Sequence, residues 1–183
     1  MWFGTRSLDD DSDLVGATLA HSEQLAPRRR LRKGHVLTAD DLDAMREAGL
    51  AKVTVAIPEP CDMMEDAAAA HIADVFALEG FRREDVGTGR VNFHALADGV
   101  LVLAPERIDS LNRIDPAITL ATLPNFSHVR AGQMIATVKI IPFAVAATLV
   151  EKAAAEVGKP DTIRVHGFRN GLRVANIQTE VKE

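Results

Sequence analysis

The apolar runs of this sequence are short, and glycine or proline closes most of them. Ala51–Ile57 alternates as a half-buried strand does and stops at Pro58, whereas Met134–Ile141 is almost continuously apolar and stops at Pro142. A helix that spans a bilayer needs about 20 apolar residues, and these runs are far shorter. The chain is therefore predicted to build its core from many short elements and not to cross a membrane.

Helix signals occur between the strand-like runs. Thr38 is suited to cap a helix that Gly49 would end, because its hydroxyl can accept from free N–H groups and glycine tolerates a left-handed backbone. Asp62 and Glu65 have the spacing of a capping box, which predicts that a second helix begins at Asp62. Two further predicted helices begin at Pro105 and at about Phe143.

At least six strands and four helices, without a sequence repeat, predict an α+β fold with mixed sheets. Asp98–Gly99 and Asn170–Gly171 each separate two strand-like runs and predict hairpins. A proline-rich break predicts a small amino-terminal α/β unit over residues 1–60 and a larger, strand-rich α+β unit over residues 61–170. Residues 171–183 are predicted to be a linker or the start of a further domain.

Composition excludes several classes of function. The net charge of -5 and the absence of tyrosine disfavour a nucleic-acid-binding protein, which needs a basic surface or stacking aromatics. Met1–Arg6 is followed by acidic residues, without the apolar stretch of a secretory signal. The single cysteine, Cys61, allows no intramolecular disulfide and suits a reducing compartment. We therefore expect a cytoplasmic protein without nucleic-acid or membrane partners.

No complete catalytic constellation is visible in the sequence. Glycine-rich phosphate loops, paired cysteines, the H-E-x-x-H zinc motif and the G-x-S-x-G nucleophile motif are all missing, and the six histidines are scattered. We therefore expect no metal and no catalysis by this chain alone. Residues 28–33 hold five cations in six positions. Such a run either binds an anion or forms a solvated loop that faces nearby aspartates, and the acidic net charge favours the loop.

Three polar side chains in strand-like runs suggest binding. Arg90 and Asn92 share one face of a strand because side chains alternate with a period of two. Lys139 interrupts the apolar run, where a lysine is costly to bury unless it is paired. Lys139 therefore either binds a phosphate or pterin-type anion, or it lies on an edge strand and prevents aggregation.

Four runs of residues resemble the amino-terminal region of bacterial molybdopterin-binding proteins. They are Gly16–Ser22, Thr88–Asn92, Leu111–Asp115 with Ile118–Leu123, and Ala131–Phe143. The segment from Gly34 to Val55 is also similar to the one that leads into the molybdopterin-binding domain of molybdopterin molybdotransferase. In the first family this region precedes a molybdopterin-binding domain, which is often followed by a nucleotidyltransferase-like domain.

Leu172–Thr179 resembles the first strand of that molybdopterin-binding domain. The resemblance thus implies a truncated, non-catalytic module of a molybdenum-cofactor maturation protein, with molybdopterin as the ligand of the parent protein. Such a module would position the missing domain, contact a molybdoenzyme or form a homo-oligomer. Two alternatives remain: an anion- or pterin-binding module that uses Arg90, Asn92 and Lys139, and a stand-alone enzyme of unknown reaction.

The resemblance also selects polar positions as weak ligand-binding candidates. They are His21, Ser22, Arg90, Asn92, Asn112, Asp115 and Lys139.

Overall fold

The computed structural model describes residues 1–9 and 13–168. Four helices and several small antiparallel sheets confirm the predicted α+β class. Every strand pairing in these ranges is antiparallel, so the sheets are not mixed in direction as predicted. The predicted hairpin at Asn170–Gly171 and the strand after it lie outside the described residues.

The amino-terminal elements surround their own cluster of buried side chains. They are β1 (Trp2–Ser7), β2 (Thr18–Leu19), β3 (Glu23–Ala26), β4 (Arg29–Leu31), α1 (Ala39–Glu47) and β5 (Lys52–Ile57). β5 is central in a sheet of order β1-β5-β2, and β3 pairs with β4. Helix α1 begins as predicted, because Thr38 and Asp41 form a reciprocal capping box. The buried cluster draws on residues between 8 and 55.

The remaining elements surround a second, larger cluster of buried residues between 68 and 165. They are β6 (Asp62–Met64), α2 (Glu65–Asp74), β7 (Phe81–Asp85), β8 (Arg90–Ala95), β9 (Gly99–Leu103), α3 (Pro105–Asn112), β10 (Ile118–Thr122), β11 (His128–Val129), β12 (Met134–Ile140), β13 (Ala144–Ala146), α4 (Ala147–Val157) and β14 (Ile163–Gly167). The main sheet has the order β10-β12-β8-β7, a second has the order β11-β9-β14, and β6 pairs with β13.

Alternation along the strands of the main sheet determines which face meets the core. Val91 and Phe93 point inward, and the ring of Phe93 contacts the rings of Phe76 and Phe81 with centroids 5.0 and 5.6 Å apart. Helix α2 packs on β8 and β12, and α4 packs on α2. The opposite face of this sheet carries the polar side chains of the alternate positions, including Arg90 and Lys139.

Three local predictions are wrong. The helix predicted from about Phe143 begins only at Ala147, because Ala144–Ala146 form strand β13, which pairs with β6. Asp98–Gly99 does not join a hairpin: β8 pairs with β7 and β12, whereas β9 pairs with β11 and β14. Glycine is required there because a Cβ on Gly99 would lie 2.3 Å from the carbonyl oxygen of His166 in the neighbouring strand. Asp62 does not begin a helix either. It lies in β6, and its carboxylate accepts a hydrogen bond from the N–H of Glu59 at 2.9 Å.

Candidate functional site

A cleft of about 620 Å³ lies where the amino-terminal elements meet the larger unit. This volume falls in the range of pockets that bind small molecules, about 300–1,000 Å³. Residues from both units line it: Met1, Phe3, Ala20, His21, Lys33, Gly34, Glu65, Thr88, Lys139, Ile141, Pro142 and Phe143.

Lys139 lies at the inner wall of the cleft. Its strand β12 is flanked by β10 and β8, so the interpretation of Lys139 as an edge-strand residue is wrong. The side chain is 24% exposed, and its Nζ donates to the carbonyl oxygen of Thr88 and lies 3.9 Å from Glu65 Oε2. An ammonium group has three donors, and the hydrogen bond to Thr88 uses one of them. The amine is thereby held in place with donor capacity left for a ligand.

The loop that holds Lys139 has an unusual backbone. Gly87, Thr88 and Gly89 all have positive φ, with Thr88 at 52°. A β-branched residue in this region is an outlier, and such strain concentrates at binding and catalytic sites. Gly89 lets the loop approach the rest of the protein closely, because a Cβ there would lie 2.8 Å from the carbonyl oxygen of Ile140 and 2.9 Å from Glu65 Oε2.

Glu65 is the one carboxylate that lines the cleft within the described part of the chain. Burial raises the pKa of Glu65, and the nearby charge of Asp66 raises it further, although Lys139 and Lys33 oppose the shift. Two lysines and one acidic side chain line the cleft, and the amino terminus of Met1, which also lines it, is paired with Glu59 and Asp62. The two lysines are therefore the groups available to attract an anion.

Lys33 and the apolar residues form the outer part of the cleft. The Nζ of Lys33 lies 5.4 Å from the centroid of the Phe143 ring, within reach of a cation–π interaction. Phe3 and Ile141 are more than half exposed at the same cleft. Planar or apolar ligand groups would cover these side chains while an anionic group meets the lysines.

Two of the seven predicted site residues line the cleft, namely His21 and Lys139. Ser22 does not line the cleft, but its Oγ accepts a hydrogen bond from the N–H of Lys33 at 3.0 Å. Ser22 thereby holds the segment that carries Lys33. Arg90 lies opposite Lys139 in the pairing of β8 with β12 but does not line the cleft. Asn92 accepts from the hydroxyl of Thr137 at 2.8 Å and is likewise outside it.

Asn112 and Asp115 support the fold at the outer edge of β10. The amide of Asn112 donates to the carbonyl oxygen of Leu120 at 3.0 Å and accepts from its N–H at 2.8 Å. Asp115 accepts from the N–H of Ala117 at 2.8 Å. Their polar groups are thus engaged by backbone groups, and neither residue is placed to meet a ligand in the cleft.

Sequence reasoning missed three residues that matter most to the cleft besides Lys139: Lys33, Glu65 and Phe143. The basic run at residues 28–33 contains the signal for Lys33, although the acidic net charge favours a solvated loop for this run. The sequence pattern predicts only a capping role for Glu65, and its contact with the cleft depends on where the loop of Gly89 approaches α2. No local pattern reveals such contacts between distant segments.

A second polar cluster surrounds Asp41 but belongs to the start of α1. Asp41 Oδ2 accepts from the hydroxyl of Thr38 at 2.8 Å and lies 2.7 Å from His35 Nε2. Burial alone would raise the pKa of Asp41, but the hydrogen bonds with His35 and Thr38 outweigh it and hold this pKa below its ordinary value. The cluster therefore stabilises a helix terminus.

Comparison with known proteins adds one finding. The model of a family described as a domain of unknown function (DUF8806) matches residues 12–57, which hold most of the amino-terminal elements. No curated protein and no solved structure was found to match the chain. Within residues 1–9 and 13–168, no group of three or more histidine, cysteine or acidic side chains is arranged to hold a metal ion. In the same ranges no helix has the length and apolar character needed to span a membrane.

Proposed function

We propose that this chain is a non-catalytic binding module that holds a small organic anion with a planar body in the cleft between its two units. The observation that carries the proposal is the meeting of Lys33 and Lys139 at one cleft beside the ring of Phe143. The lysines supply charge for an anionic group, and the ring supplies a surface for stacking.

The resemblance to molybdopterin-binding proteins supports a pterin as the planar body. Three of the four runs that carry this resemblance contribute to the lining of the cleft: Ala20 and His21 from the first, Thr88 from the second, and Lys139, Ile141, Pro142 and Phe143 from the last. Three segments that resemble the same family thus line the same cleft. On this basis we propose a role in molybdenum-cofactor maturation in the cytoplasm, in which this chain presents or positions the pterin.

Calorimetric titration of the 183-residue chain with pterin-6-carboxylate tests the proposal. The uncharged 6-hydroxymethylpterin reports the contribution of the ring alone and should bind more weakly. Lys139→Ala and Lys33→Ala should each weaken binding of the carboxylate by at least about 10-fold, because a hydrogen bond to a charged group contributes about 1.5–3 kcal/mol. Neither substitution should change the affinity for the uncharged pterin as strongly.

Arg90→Ala is the matched control. Arg90 is a cation on the neighbouring strand directly opposite Lys139, yet it does not line the cleft. Its removal should leave binding of pterin-6-carboxylate within about 2-fold of the unsubstituted chain, because an exposed cation that does not contact the ligand contributes little to binding. Equal losses of affinity in Arg90→Ala and Lys139→Ala would contradict binding in the cleft and would favour a binding site on the open face of the sheet. No heat with either pterin would remove the proposal.

A further inference from the structure

The two units that form the cleft have separate cores. The buried cluster of the amino-terminal unit draws on residues between 8 and 55, and that of the larger unit draws on residues between 68 and 165. In the described part of the chain, each sheet also lies wholly within one unit. A rotation of one unit against the other therefore breaks no sheet and divides no core, which is the usual condition for a hinge.

A short linker joins the two units. Residues 58–61 connect β5 with β6, and two of them are prolines, which fix their own φ and restrict the residue before them. The N–H of Asp62 donates to the carbonyl oxygen of Glu59, and the N–H of Glu59 donates to Asp62 Oδ2, both at 2.9 Å. The second half of the linker is thereby attached to the larger unit. Rotation is left to the few bonds around Pro58.

The polar contacts between the units lie at this linker and at the cleft. Within residues 1–9 and 13–168, no backbone hydrogen bond joins a residue up to 57 with a residue after 61. The amino group of Met1 lies 3.0 Å from Glu59 Oε1 and 2.7 Å from Asp62 Oδ2. Atoms beside a pivot move least in a rotation, so this contact does not oppose one. At the cleft, Lys33 Nζ lies 5.4 Å from the centroid of the Phe143 ring, and a small movement would form or break this contact.

The two lysines of the cleft belong to different units. Lys33 lies on the amino-terminal unit and Lys139 lies on the larger unit, and both line the cleft. Two like charges on opposite walls repel each other, whereas an anion between them attracts both. An empty cleft therefore favours separation of the walls, and a bound anion favours their approach.

We propose that the amino-terminal unit turns about the linker at Pro58 and closes the cleft when an organic anion bridges Lys33 and Lys139. The inference rests on the binding function proposed above and adds a movement to it. Ser22 Oγ accepts from the N–H of Lys33 at 3.0 Å, so this lysine moves with its unit, while the carbonyl oxygen of Thr88 holds Lys139 on the larger unit. The anion contacts both lysines only in the closed state, and this difference in affinity shifts the equilibrium.

Distances between spin labels, measured by double electron–electron resonance, test the closure. One label is attached on α1 through Glu47→Cys and one on α3 through Glu106→Cys, both exposed positions, in a Cys61→Ser background. The control pair, Leu78→Cys with Glu106→Cys, places both labels on the larger unit. Without ligand, the pair across the units should have the broader distance distribution. Saturating pterin-6-carboxylate should narrow this distribution and shift its mean by more than about 2 Å, the scale of domain rearrangements on binding. The control pair should not change.

Two neighbouring cations provide matched variants for the same measurement. Lys33→Ala removes the cation of the moving wall, whereas Arg32→Ala removes a cation one residue away that does not line the cleft. With ligand at saturation, Lys33→Ala should keep the distance distribution of the empty chain, because nothing draws the two walls together. Arg32→Ala should close like the unsubstituted chain.

Calorimetry of the same samples separates this inference from the binding proposal. Heat of binding without a change in the distance across the units overturns the closure and leaves the binding site intact. No heat removes the binding proposal and the closure with it. Full closure of ligand-saturated Lys33→Ala would also overturn the inference, as would an empty chain whose distribution across the units is as narrow as that of the control pair.

Discussion

The loop that anchors Lys139 offers a comparison between two glycines that differ in one respect. Gly87 and Gly89 both have positive φ, at 79° and 66°. A Cβ on Gly87 would meet nothing within 4 Å, whereas a Cβ on Gly89 would lie 2.8 Å from the carbonyl oxygen of Ile140 and 3.0 Å from the Cβ of Glu65. Alanine at either position therefore adds the same backbone strain, and only Gly89→Ala adds a steric conflict.

The expected magnitudes follow from these two terms. A non-glycine residue with left-handed backbone costs about 1–2 kcal/mol, which is the whole effect predicted for Gly87→Ala. Overpacking against fixed atoms adds about 1–3 kcal/mol. Gly89→Ala should therefore lower the free energy of unfolding by about 3 kcal/mol, and part of this loss comes from the hydrogen bond of its N–H to Asp66 Oδ1 at 2.6 Å.

Urea denaturation of both variants measures the difference directly, and calorimetry with pterin-6-carboxylate adds a functional measurement. Displacement of the loop moves the carbonyl oxygen of Thr88 that positions Lys139, so Gly89→Ala should also weaken binding, while Gly87→Ala should not. Equal destabilisation by the two substitutions would show that the close approach of Gly89 does not hold the loop. Contacts other than the close approach of Gly89 would then position Lys139.

Three further substitutions test other parts of the structure. Glu65→Gln removes the acid of the cleft and should tighten binding of pterin-6-carboxylate about 5-fold at neutral pH, since one charge at this range contributes about 1 kcal/mol. In calorimetric titrations, this advantage should vanish as pH falls through the raised pKa of Glu65, because the wild-type carboxyl then becomes neutral. The lowered pKa of Asp41 means that its ionised form stabilises the fold above the unfolded-state pKa and that this stabilisation is lost as pH falls through the folded-state pKa. Asp41→Asn should therefore be less stable than the parent at neutral pH, with a difference in urea denaturation that narrows in acid. Asn112→Ala should cost about 2 kcal/mol in the same assay, because it leaves both backbone groups of Leu120 without their partners; an unchanged midpoint would contradict this role.

Local chemistry explains which elements could be predicted from the sequence. The start of α1 was predictable because Thr38 and its capping partner act within four residues of each other. Pairing between strands was not, because Asp98–Gly99 has the composition of a hairpin and yet connects two different sheets. Gly99 is needed for the close approach of β14, and the requirement comes from a strand more than sixty residues later in the chain. A dipeptide pattern carries no information about such a neighbour.

The candidate site shows the same limit at the level of single side chains. Asn92, Asn112 and Asp115 belong to residue types that bind ligands, but here they bind backbone or neighbouring hydroxyl groups. Most side-chain hydrogen bonds in proteins are of this local kind, so residue type alone selects too many candidates. Lys139 differs from Asn92, Asn112 and Asp115 because its side chain is exposed within the cleft. Exposure within a cavity is a property of the folded chain and cannot be read from the sequence.

Lys139 was informative because its apolar neighbours raise the cost of burying a charge. A lysine among buried residues needs partners, and the sequence predicts that such partners exist without indicating where they are. The structure supplies them from the loop at Thr88 and the first turn of α2 at Glu65. These contacts use one donor of the ammonium group at short range and leave the carboxylate at 3.9 Å, which is beyond a hydrogen bond. The ammonium group therefore keeps donors that these contacts do not use, and this is the structural reason to propose a ligand at Lys139.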